Sequence, residues 1–80
     1  MSFKPNPKAQ AENKFYELFG SRQDVVITGA RTDPKGIYNV ELSVGGKPFL
    51  RASNHDWRKA YKALKINVEA AFADGKLLPG

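Results

Sequence analysis

Eighty residues with no cysteine, and thirteen basic against eight acidic side chains, set the bounds for this chain. A chain this short buries only about 60% of the surface its unfolded form exposes, so one small-cored domain is expected, with little room for a deep enclosed active site; without cysteine, disulfides and thiolate metal sites are excluded. The net charge of +5 raises the weight of a polyanionic partner, and since no apolar run reaches the ~20 residues of a membrane span and no signal-peptide pattern opens the chain, a cytoplasmic protein is the starting expectation.

The opening SFKPNPKAQ places Asn6 as a helix N-cap and Pro7 at the first helical position, where its missing N–H costs nothing. Ala11, Phe15, Leu18 and Phe19 then share one helical face and Gly20 is a natural stop, which predicts a helix of about three and a half turns. VVITGA is short and β-branched and reads as a strand, broken by the turn residues of RTDPKG. IYNVELSV alternates: Tyr38, Val40, Leu42 and Val44 point one way, while Asn39, Glu41 and Ser43 point the other, as in an antiparallel sheet covered on one side. Gly45-Gly46 signals a two-residue hairpin, because both positions of a type I′ turn need positive φ. KPFLRAS is the third strand, placed at an edge by Pro48 or begun at Phe49. Asp56 caps a last helix from Trp57 to about Ala73, closed by Asp74-Gly75, and the KLLPG tail either packs back or frays. The expected fold class is α+β, in the order α-β-β-β-α. It is a single domain, with a three-stranded antiparallel sheet and two helices packed on one face.

Within these elements VGGKPFLRASNHDWRKAYKAL, residues 44–64, resembles the double-stranded RNA-binding domain (dsRBD). The run lies on that family's hairpin, third strand and second-helix start without a gap. Val44-Gly45-Gly46-Lys47 matches the hairpin, Phe49 the aromatic position, and Ala60 the helix alanine that packs on the sheet. Asn6-Pro7-Lys8-Ala9 is similar to the Pro-Lys start of the family's first helix, and the resemblance spans nearly the whole chain. It implies a module that binds duplex RNA through phosphate and 2′-hydroxyl contacts at three surface regions.

Carried over by position, the first region is Glu12 and Asn13 with Lys8 nearby, although Glu12 reads equally as solvated helix surface. The second is the RTDPKG loop, which reads either as an ordinary polar hairpin loop or as a phosphate contact through Arg31 and Lys35; Asp33-Pro34 stands where the family has Gly-Pro, and the loop is shorter and lacks the family's histidine. The third is the start of the last helix. The family has a Lys-Lys-x-Ala-Lys pattern there, and this chain has Trp57, Arg58, Lys59, Ala60 and Tyr61. Arg58, Lys62 and Lys65 nevertheless fall at i, i+4 and i+7, a basic stripe that Lys59 widens and that Lys47 and Arg51 of the third strand extend.

Trp57 and Tyr61 carry two open readings. On a helical wheel they join Leu64, Val68 and Phe72 and widen the core face. Laid on the family, with Ala60 and Leu64 facing the sheet, both rings turn to the rim, as anchors of a protein interface or as a base-stacking platform. A protein-interaction module, adaptor or small inhibitor, is therefore the second function carried forward. An enzyme is not expected: His55 is the sole histidine, Ser53, His55 and Asp56 are too close in sequence to form a triad, VGGK is too short to cradle a phosphate, and no cofactor or metal is implied.

Overall fold

A computed structural model describes residues 6–20, 24–31 and 36–77, which form α1 (Pro7–Phe19), β1 (Val25–Arg31), β2 (Tyr38–Val44), β3 (Lys47–Asn54) and α2 (Trp57–Ala73). Asn6 Oδ1 accepts the Ala9 N–H at 2.7 Å, and Pro7 fills the first turn of α1. Asp56 does the same for α2, accepting the Arg58 N–H at 2.8 Å. At the far end of α2, Lys76 N–H bonds Ala71 C=O and Gly75 N–H bonds Phe72 C=O, with Gly75 at φ 70°. This pair of hydrogen bonds around a left-handed residue is the Schellman stop that Asp74-Gly75 announces in the sequence.

The order is the expected α-β-β-β-α, and the sheet is antiparallel in the order β1-β2-β3. Gly45 and Gly46 both have positive φ, so the tight hairpin between β2 and β3 matches the strand twist. Ile27, Leu42 and Leu50 stand in register across the three strands, and Gly29, Val40 and Ala52 form the next row. This face of the sheet packs against Ala11 and Phe15 of α1 and Ala60, Leu64 and Val68 of α2 in one core. A register shift after Leu42 leaves Phe49 as an extra residue on β3, so Phe49 and Leu50 both pack on the helix side. Phe49 meets Phe15 and Phe19 edge-on, with ring centroids 6.3 and 5.9 Å away. Pro48 is tolerated because β3 is an edge, with β2 as its neighbour.

The helices run the same way. Phe19 at the end of α1 meets Phe72 near the end of α2 at 5.5 Å, while Pro7 and Gln10 lie beside the first half of α2. Both positive helix ends therefore lie at one end of the molecule. Lys76 Nζ reaches Phe49 C=O at 3.4 Å and sits 5.1 Å from that ring, whereas Leu77 of the tail is exposed, and residues 78–80 lie outside the described residues. Among the described residues no helix is long and apolar enough to cross a membrane.

Candidate nucleic-acid interface

Helical rotation sorts α2 into two faces. Ala60, Tyr61, Leu64, Val68 and Ala71 are buried, while Arg58, Lys59 and Lys62 are exposed and Lys65 is half-buried. These four cations, with Pro7 and Gln10 of α1, line an open groove of about 260 Å³. Among the described residues no acidic side chain lines it. Arg58 and Lys62 are four apart and Lys62 and Lys65 three apart, and like charges at those spacings cost a helix roughly 0.2–0.5 kcal/mol per pair. The amino end of α1 adds its own positive partial charge to the same groove. Such a cluster works against folding, and an anion held between the side chains relieves it.

The groove gathers Arg58, Lys59, Lys62 and Lys65 but leaves the other expected contacts elsewhere. On α1 it is Pro7 and Gln10 that face α2; Lys8 and Asn13 are exposed and Glu12 half-buried, outside the groove lining. Gln10 escaped the sequence reading, although its place three residues after Pro7 puts both on one flank of α1.

Arg51 does not extend the stripe. Leu50 and Ala52 face the helices, so strand alternation turns Arg51 to the opposite face of the sheet, where its Nε meets Glu41 at 2.9 Å in a cross-strand pair. Lys47 stands at the hairpin end of β3, while α2 starts beyond Asn54 at the other end, so it too is distant from the stripe.

Arg31 lies at the α2-start end of the sheet, in a row with Tyr38 and Asn54. Its guanidinium donates to Gly36 C=O and lies 5.9 Å from the Tyr38 ring centroid, which holds it against the loop base. Lys35, Asp33 and Pro34 lie outside the described residues.

The two aromatic residues part company. Ala60 and Leu64 face the sheet as the family overlay requires, and Trp57 is 39% exposed, but Tyr61 is only 6% exposed. Tyr61 is therefore no interface anchor, contrary to the overlay. The reason lies on another strand: a Cβ on Gly29 would stand 2.5 Å from the hydroxyl oxygens of both Tyr38 and Tyr61. The bare backbone of β1 at Gly29 makes the space that lets Tyr61 turn inward, where its hydroxyl pairs with that of Tyr38 at 3.3 Å. Gly29→Ala is expected to overpack this corner and destabilise the domain by about 1–3 kcal/mol, read as a lower urea midpoint; an unchanged midpoint would contradict the packing described.

Burial first, then the hydrogen bond and the neighbouring charge of Tyr38, push the Tyr61 phenol from 10.0 up to about 12. Because the folded value is the higher one, the stabilisation is fully present below pH 10 and is lost as pH rises from 10 to about 12. Urea midpoints measured across that window are expected to fall less steeply in Tyr61→Phe than in the parent chain.

The outer face of the sheet holds a second depression of about 370 Å³, floored by Thr28, Ala30 and Asn39 among others. Its polar groups largely satisfy one another: Arg51 pairs with Glu41, and Ser53 Oγ donates to Asn39 Oδ1. Among the described residues no group of three or more His, Asp or Glu side chains is placed to hold a metal ion. No family model, curated protein or solved structure matches the chain.

Proposed function

We propose that this domain is a non-enzymatic module that binds structured nucleic acid, duplex RNA above all, by gripping phosphates in the groove between α1 and α2. The observation that carries the reading is the convergence of Arg58, Lys59, Lys62 and Lys65 with the amino end of α1, in a groove whose described lining holds no acid. Arg and Lys contacts to phosphate are charge-assisted and indifferent to base sequence. From Arg58 to Lys65 the stripe is about 10 Å long at 1.5 Å rise per residue. That length suits phosphates facing each other across the narrow major groove of A-form RNA. The resemblance of residues 44–64 to the dsRBD supports duplex RNA over other polyanions, and under it Glu12 and Asn13 of α1 would meet a neighbouring minor groove.

The competing reading, a protein-interaction module, keeps Trp57 as its anchor and loses Tyr61 to the core. One ring, 39% exposed, with the Arg58 guanidinium 5.4 Å from its centroid is a poor apolar docking patch. Equilibrium titration with an RNA duplex, the matching DNA duplex and the separate strands tests the choice. RNA duplex bound tightest supports the proposal, and no binding to any of them at low salt sinks it.

A further inference from the structure

We infer that Trp57 is a stacking platform for an unpaired base, so that the domain takes an RNA duplex carrying a single-stranded overhang in preference to a blunt one. The inference rests on the nucleic-acid reading of the adjacent groove. Trp57 opens α2, one residue before the cationic stripe of Arg58, Lys62 and Lys65. The Arg58 guanidinium at the head of that stripe lies 5.4 Å from the indole centroid, so a strand whose phosphate Arg58 holds brings its next nucleotide within reach of the ring. Inside a duplex each base is covered on both faces by its neighbours; an unpaired nucleotide offers a free face.

The ring is held in place before any ligand arrives. Tyr61 meets it edge-on at 83° with centroids 6.2 Å apart, and Tyr61 is fixed by Tyr38 at 5.8 Å and by the hydroxyl pair above Gly29. Arg31 closes the far end of this row over Tyr38 and Arg58 closes the near end beside Trp57. Tyr61 is buried and Tyr38 half-buried, and Trp57 is the ring of the row that is exposed. A pre-positioned ring loses little side-chain entropy on stacking.

Charge selects the occupant. An apolar protein surface over Trp57 would cover Arg58 without pairing it, whereas a nucleotide brings its own phosphate. On binding, the base takes the place of the Arg58 guanidinium on the indole, and Arg58 turns to the phosphate beside it.

Trp57 is the sole tryptophan, so its emission reports the event directly. The experiment compares three RNAs: a blunt duplex, the same duplex with a short overhang, and that overhang made abasic, which keeps the phosphates and removes the rings. Affinities come from anisotropy of labelled RNA and stacking from Trp57 quenching. The expected preference for the overhang is about 5- to 100-fold, with quenching, and it disappears for the abasic overhang. In Trp57→Ala the ratio of overhang to blunt affinity falls to near one. Equal affinity for all three RNAs with unquenched emission overturns the inference and leaves the groove reading standing. A Trp57→Ala variant that keeps the overhang preference overturns it as well. Binding to none of them overturns both readings.

Discussion

Replacing Arg58 and Lys62 together by alanine is expected to weaken duplex-RNA binding by roughly 10- to 100-fold and to lower the salt slope by about two phosphate contacts. Both side chains are exposed on the groove wall and neither contributes to the core. The same substitution removes a like-charge pair four residues apart on α2, so the folded domain is expected to keep its denaturation midpoint or gain slightly. Lost affinity at unchanged stability is the signature of a ligand contact, and a structural role would lower both. Arg51→Ala supplies the internal control. It breaks the pair with Glu41 on the opposite face of the sheet and is expected to leave binding alone. Unchanged affinity in the double variant, measured by titration at two salt concentrations, would contradict the groove assignment.

Phe15→Ala is expected to remove about 3–5 kcal/mol, most of the stability available to a domain this small. Phe15 is fully buried, stacks on Phe19 at 4.8 Å and meets Phe49 edge-on. It is the large side chain that seats α1 on the core, and seating α1 is what sets Pro7 and Gln10 against the cations of α2. Groove and fold should therefore fail together, with loss of helical circular dichroism at 37 °C and of RNA binding. Phe72→Ala, at a ring 48% exposed, should cost far less. A Phe15→Ala chain that unfolds cooperatively at the parent urea concentration would contradict this description of the core.

Local chemistry was legible in the residues. Asn6 and Asp56 announce the two helix starts, Gly45-Gly46 the hairpin, and the alternation from Tyr38 to Val44 the buried face of the central strand, because each depends on neighbours within a few positions. The basic stripe was legible for the same reason, since helical spacing brings Arg58, Lys62 and Lys65 together. What escaped depends on distant strands. Tyr61 turns inward because Gly29, thirty-two positions earlier, has no side chain; a lone glycine inside a β-branched run hints at close approach but does not say by what. The bulge that turns Phe49 to the core depends on the pairing register of β2 and β3. Arg51 was misplaced for the same reason: alternation from Phe49 sets it on the helix side, and the bulge that brings Leu50 inward as well turns it to the outer face.

The most direct test of phosphate binding between α1 and α2 is the change in assigned amide NMR shifts when an RNA duplex is added at low salt. The expected result is a contiguous set of shifts at Gln10, Arg58, Lys59, Lys62 and Lys65, reversed by added salt, with Thr28, Glu41 and Ser53 on the outer sheet face unmoved. Shifts centred on that outer face, or none at all, would contradict it.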